Sequence, residues 1–286
     1  MNKLRLLLLG GALIWLATAP AARADGEAGE LPFVQGRALA EIGTLIPLRH
    51  TIQFGSNGST FDYVEEGGQD VWFPTGRLQA EIEFGPGHTV TFLYQPLDIR
   101  TSVYLRRDIV VDEATFPQGS GLDTRYGFDY YRIGYHYDFF PDDPQYEVSI
   151  GAALQIRDAV INFTSADGSI RRTNSDVGPV PLLRFRGEYG FDFGMWLGLE
   201  ADGFYAPIKY LNGGKSDVEG AILDLSARIG YAIHPAFDVF LNLRYVGGGA
   251  EGTSQNDPPP GDGYTSNWLH LLGLTLGARL HIHNIL

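Results

Sequence analysis

His136 and Asp138 stand two residues apart in the run Tyr135-His-Tyr-Asp138, so a strand places both side chains on one face. An imidazole beside a carboxylate is equipped for proton transfer. A nucleophile to go with them is missing. The residues two after His50, His88, His136, His234, His270, His281 and His283 are Ile52, Val90, Asp138, Ala236, Leu272, His283 and Ile285. No His-x-Ser pair therefore exists to activate a hydroxyl, and no Asp-x-His occurs either. The pair is expected to be a structural hydrogen bond, with no catalytic residue and no enzyme activity. His281-x-His283 offers two imidazoles on one strand face, and two ligands leave a metal site incomplete. Neither a metal nor a cofactor is expected. Asp108, Asp112, Glu113 and Asp123, with Arg106 and Arg107 nearby, have the groups to bridge divalent cations or hold phosphate. They lack calcium-loop spacing, so a solvated loop is expected.

A larger set of charges is more regular. Arg77, Arg132, Arg157, Arg184, Arg186, Arg228, Arg244 and Arg279 fall on the same strand phase as Glu81, Glu83, Glu147, Glu188, Glu200, Asp202 and Asp224. Arg holds carboxylates bidentately and keeps its charge when buried. These residues are expected to form one network inside a lumen, a packed polar interior with a charge-lined solute path as the alternative.

The elements that position them show in the alternation. Tyr146, Val148, Ile150, Ala152, Leu154 and Ile156 oppose Glu147, Ser149, Gly151, Ala153, Gln155 and Arg157. A period of two held over a dozen residues specifies a strand between an apolar and a polar phase. About 9–11 residues suffice for a tilted strand to cross a bilayer. The same alternation is read over 77–84, 130–139, 181–189, 195–202, 223–233, 239–245 and 272–282. Two strands, 37–54 and 88–112, are less regular, and Pro47 and Pro96 are expected to mark bulges or edges.

Residues 1–24 read as a cleaved signal peptide: Lys3 and Arg5, an apolar run from Leu6 to Ala17, then Ala22-Arg23-Ala24. Residues 25–36 are expected to be a periplasmic N-terminal segment and 37–286 the barrel. The leader holds three of the 21 Lys/Arg and none of the 34 Asp/Glu, leaving 18 cations against 34 anions, a net charge of −16. That acidity excludes nucleic acid as a partner. With no Cys, an exported chain has neither a disulfide framework nor a thiolate metal site. No later segment has 18 uninterrupted apolar residues, so no spanning helix follows.

Connections alternate in kind. Short ones at Gly85-Pro86-Gly87, 141–144, 190–192 and 234–236 lie between long polar ones at 55–70, 113–122, 164–180, 211–217 and 247–265. Tyr130, Tyr131, Tyr146, Tyr189, Tyr231 and Trp268 fall near strand ends, as in aromatic girdles. Soluble barrels and sandwiches alternate too, but seldom gather aromatic residues there. The last strand carries Thr275-x-Gly277-x-x-Leu280-x-Ile282.

Over residues 37–286 the chain resembles the small outer-membrane β-barrel proteins of Gram-negative bacteria, whose last strand carries such a signal, usually closed by an aromatic residue; here His283-Asn284-Ile285-Leu286 follow. The resemblance implies an all-β, antiparallel transmembrane β-barrel of about ten strands, with eight or twelve as alternatives, in the cell outer membrane. It implies contact with outer-membrane lipid and lipopolysaccharide, and with the barrel-assembly machinery through the C-terminal strand. The expected role is a non-enzymatic envelope or surface protein. A narrow porin-like channel or transporter for small polar solutes is the first alternative, and a lipid-modifying or proteolytic barrel enzyme the second.

Overall fold

The computed structural model describes residues 34–207, 217–254 and 261–283. The signal peptide, most of the 25–36 segment, most of 211–217, the tip around Asn256, and both Lys209 and Lys215 lie outside the described residues. In chain order the strands are β1 (Val34–Phe54), β2 (Phe61–Asp62), β3 (Phe73–Phe84), β4 (His88–Gln95), β5 (Asp98–Tyr104), β6 (Ile109–Val111) and β7 (Ala114–Phe116), followed by β8 (Gly121–Asp138), β9 (Tyr146–Ser165), β10 (Arg171–Gly190), β11 (Met195–Pro207), β12 (Glu219–His234), β13 (Phe237–Thr253) and β14 (Tyr264–Ile282).

Antiparallel neighbours follow one another round the wall, and β14 pairs back onto β1 from Gly36↔Ile282 to Phe54↔Thr265. Closure leaves no sheet edge, the condition for a sheet in lipid. The wall has ten strands, since β5 carries on the course of β4 against β8. Pro96 interrupts that strand, and the β3–β4 ladder stops at Leu78↔Tyr94. Pro47 adjoins a bulge in β1. Pro179 and Pro181 keep their places opposite β9, so their missing N–H groups fall on the β11 side, where the ladder ends at Leu183↔Gly203.

Several strands are longer than a bilayer needs: β1, β9, β10 and β14 have 21, 20, 20 and 19 residues. The residues beyond the crossing follow a different rule. Nearest the short turns, the outward phase is apolar, with Leu78, Ile133, Ile150, Leu154, Leu197, Ile229, Leu241 and Leu276 all exposed. Past Tyr131 on β8 the outward residues become Asp129, Arg125 and Asp123; past Ile156 on β9 they include Asp158, Asn162 and Thr164. Aromatic rings mark both borders. Tyr146, Tyr189, Phe191 and Phe193 form a contact series at the turn end, and Tyr94 stacks on Tyr131 at 4.9 Å at the other. Tyr130 belongs to neither ring. It is 5% exposed and points into the lumen, because its neighbour Tyr131 holds the outward phase.

The interior changes character at the same height. On the loop side, wall residues Leu45, Ile52, Phe54, Leu122, Tyr126, Ile161 and Phe163 pack against Phe61, Tyr63, Leu105, Ile109, Val111 and Phe116 from two segments folded into the mouth. Residues 55–70 and 113–122 are thus not simply polar loops, since each lends rings to this core. The expected loop at 164–180 is also corrected: β9 runs to Ser165 and β10 starts at Arg171, leaving five residues between them. Each long strand is therefore apolar outside and polar inside in its membrane half, and the reverse beyond it.

Candidate functional site: a filled lumen

Alternation on the ten wall strands brings the inward charges of the turn-side half together. At the turn end Arg37 Nε meets Glu81 at 2.6 Å and Arg186 meets Glu81 at 2.7 Å and Glu147 at 3.1 Å. Arg279 holds Glu188 and Asp238, both at 2.7 Å. One level in, Glu200 accepts from Arg77 at 3.0 Å and Arg228 at 3.3 Å, and Arg228 reaches Glu41 at 3.5 Å. Arg184 holds Asp202 with two bonds of 2.7 and 2.9 Å, and Arg132 bridges Asp202 to Asp224. The top of the network is Arg244, bonded to Asp224, to Gln95 and, at 2.8 Å, to the Tyr130 hydroxyl.

Among the described residues, eight arginines (37, 77, 132, 184, 186, 228, 244, 279) face eight carboxylates (41, 81, 147, 188, 200, 202, 224, 238). The lumen is neutral as a whole, and the acidity of the chain lies elsewhere. Desolvating so many ions is costly, and each pair recovers that cost only through close, bidentate geometry. Some N–H groups stay unmatched: Nε and Nη1 of Arg77, and Nε and Nη2 of Arg228, make no hydrogen bond.

Two aromatic residues close the lower lumen. Trp196 and Phe240 pack with Leu39, and the Arg279 guanidinium sits 4.0 Å from the Trp196 ring centroid. A Cβ on Gly230 would run into the Trp196 ring, and one on Gly277 into Phe240. Glycine is what lets these rings lie across the barrel.

Of the fifteen network residues read from sequence, thirteen join it. Arg157 instead pairs with Asp176, partly exposed above the network. Glu83 stands half-buried at the turn-end rim, and among the described residues it makes no hydrogen bond or ion pair. Sequence reasoning missed Arg37, Glu41 and Asp238; alternation in 37–45, blurred by Gly43, was the available signal for the first two, and Asp238 falls one residue before the strand read over 239–245.

His136 and Asp138 do not pair. Asp138 Oδ1 accepts from the N–H groups of Phe140 and Val148 at 3.1 and 3.0 Å, whereas His136 faces Glu147 at 3.6 Å. The carboxylate caps the 139–145 turn, which draws it away from the imidazole. His281 Nε2 donates to Asp238 Oδ2 at 2.9 Å, so it belongs to the network's edge rather than to solvent. The loop acids do not gather: Asp108 caps Gln118, Asp123 takes Ser102, and Arg107 holds Glu66 with two bonds of 2.9 Å. Among the described residues no three His, Asp or Glu side chains are placed to hold a metal ion.

Above the network lies a cavity of about 60 Å³, floored by Arg77, Arg132 and Arg244 and roofed by Leu45, Phe128 and Leu271. That is room for a few water molecules. Higher still, His50 is 0% exposed, bonded to Gln69 Oε1 at 2.7 Å and stacked on Tyr63 at 4.2 Å. Among the described residues, His50 Nε2, Gln69 Nε2 and Tyr63 OH make no hydrogen bond. Nothing in the local sequence announces this buried polar trio, since His50 lies on β1 while Tyr63 and Gln69 come from the 55–70 segment folded over it.

No family model and no curated protein matches the sequence. Solved structures similar to the chain include a Pseudomonas aeruginosa FadL homologue, at 5% identity over 88% of this chain and 90% of that one, TM-score 0.38. The transport unit of the autotransporter AIDA-I from Escherichia coli matches at 7% identity over 91% and 93%, TM-score 0.38. Ail, the attachment invasion locus protein of Yersinia pestis, matches at 13% identity over 86% and 99%, TM-score 0.31.

Proposed function

We propose that the chain is an integral outer-membrane protein of a Gram-negative bacterium whose barrel is plugged, and that it acts as a non-enzymatic envelope protein through its lipid face and its loop end. One observation carries this reading: the lumen is filled twice, by an ion-pair network in the membrane half and by an apolar plug above it. A hydrated pore needs a continuous water path. Here a cavity of about 60 Å³ lies between the two layers, lined by Arg77, Arg132, Leu45 and Leu271 among others. Short turns at one end and extended hairpins at the other support an orientation with the turns in the periplasm. Lipopolysaccharide is then the lipid met by the upper border of the apolar band, and the β14 signal is the part read by the assembly machinery.

Single-barrel recordings in a planar bilayer test the reading. Only background current is expected from folded protein; stepwise ohmic conductance would favour the narrow-channel alternative. Unchanged lipid A mass profiles on expression are expected as well, and a new acyl or phosphate loss would favour the enzyme.

A further inference from the structure

At the upper border of the apolar band β1 carries its bulge. Pro47 pairs with Leu271 and Arg49 with His270, so Leu48 is the extra residue. Leu48 and Arg49 are both exposed on the outer wall before His50 turns back inside. Re-aiming a side chain in this way is a common use of a bulge. Among the described residues Arg49 makes no hydrogen bond or ion pair, whereas the outward Arg100 and Arg125 both hold Asp98, at 3.1 and 3.0 Å.

Beside it is an aromatic platform. His270 Nδ1 bonds the Tyr245 hydroxyl at 2.6 Å. The outward positions of β13 opposite His270 and Trp268 are Gly247 and Gly249. A Cβ on Gly247 would lie 2.9 Å from His270 Nδ1 and run into Tyr245; one on Gly249 would lie 2.8 Å from Trp268 Cδ2. The Tyr245 and His270 rings, tilted 35° to one another, therefore reach over Gly247, and the Trp268 indole over Gly249, where any larger side chain would displace them.

Resting on the outer-membrane reading, we propose that Arg49, Trp268 and the Tyr245–His270 pair form a site for the head group of a phosphorylated glycolipid of the outer leaflet. Arg49 takes the phosphate, for which a planar guanidinium is suited. The ring faces take the C–H face of the sugar, where their negative quadrupole meets slightly positive hydrogens. Leu48 lies at the height of the first acyl carbons. A glycerophospholipid uses the arginine alone and leaves the platform empty, which favours a phosphosugar.

The test is equilibrium binding to the folded barrel in detergent, with folding checked by heat-modifiable gel mobility. Probes are diphosphoryl lipid A, dephosphorylated lipid A, phosphatidylglycerol and inorganic phosphate. Diphosphoryl lipid A is expected to bind best, weakening about tenfold in Arg49→Ala and in Trp268→Leu, with Arg100→Ala unchanged. Arg49→Lys, which keeps charge but not the fork, is expected to bind between wild type and Arg49→Ala. Equal binding of the phosphorylated and dephosphorylated lipids, or of wild type and Arg49→Ala, overturns the site. Phosphatidylglycerol binding as well as lipid A removes the sugar from the proposal and overturns it, and inorganic phosphate alone matching the lipid does so by removing the membrane source. A folded, monomeric chain in plain buffer sinks the outer-membrane reading itself; a detergent-folded barrel indifferent to Arg49 sinks the site only.

Discussion

Arg244 and Asp224 form a two-pronged pair near the top of the charged lumen, Nε to Oδ1 and Nη2 to Oδ2, both 2.7 Å. They sit on adjacent strands, diagonal to one another, and the same carboxylate also takes Arg132 at 2.9 Å. Asp224 thus neutralises two buried guanidinium groups. Asp224→Leu leaves both facing a lost partner, and is expected to lower unfolding stability in detergent by roughly 3–5 kcal/mol. Asp98→Ala, which frees two exposed arginines, is expected to cost under about 1 kcal/mol. Urea titrations of both variants make the comparison, and similar losses would mean the lumen is wetter than its geometry.

The lipid face has its own test. Leu241 is half-exposed on the outer wall of β13, pairs with Ile229 and Leu276, and lies in the middle of the apolar band. Leu241→Arg places a charge there and is expected to cost about 2–4 kcal/mol. Thr164, on the outer phase of β9 beyond the band, is expected to accept Arg within about 0.5 kcal/mol. Refolding yields and urea midpoints in lipid vesicles check this, and an equally tolerant Leu241 would place the bilayer elsewhere.

Much of the wall was legible because alternation fixes sidedness whatever the partner strand is. Arg132, Arg184, Arg186, Arg228 and Arg244 share a phase in sequence and meet in space for that reason alone. The change of polarity along a strand was harder to see. In β9 the phase carrying Gln155 and Arg157 continues as Ala159, Ile161 and Phe163, so one face is polar in lipid and apolar above it. A single period read over the whole strand averages the two. The plug was invisible for another reason: Tyr63, Ile109 and Phe116 come from segments with too little regularity to show which way they fold. The His136–Asp138 distance in sequence was right and the inference from it wrong, because backbone N–H groups of a turn compete for the same carboxylate.

The plug is expected to behave as a soluble-protein core. Phe116 is 0% exposed and packs with Phe163 at 6.4 Å between ring centroids. Phe116→Ala is expected to cost about 3–5 kcal/mol locally and to open residues 105–120 to protease while the membrane half stays folded. Conductance should remain at background, since the ion-pair network below is intact. A current appearing in this variant would show that the apolar layer alone closes the lumen.

The hairpin tip between β9 and β10 gives a pH test outside the membrane. Asp167 accepts from the Ser165 hydroxyl at 2.6 Å, and from the N–H and hydroxyl of Ser169 at 3.0 and 2.8 Å. These bonds, that from Ser165 foremost, hold its pKa down to about 2 from 3.8. A carboxyl depressed in the folded state stabilises the tip above its unfolded pKa and loses that contribution as pH falls through the folded one. The turn is therefore expected to keep its form at about pH 3 and to release near pH 2. The Ser169 amide shift, followed through acid titration by NMR in micelles, reads this directly. A midpoint near 3.8, the ordinary value, would show that the three bonds do not persist in solution, and Asp167→Asn should abolish the titration while keeping the Ser169 contact.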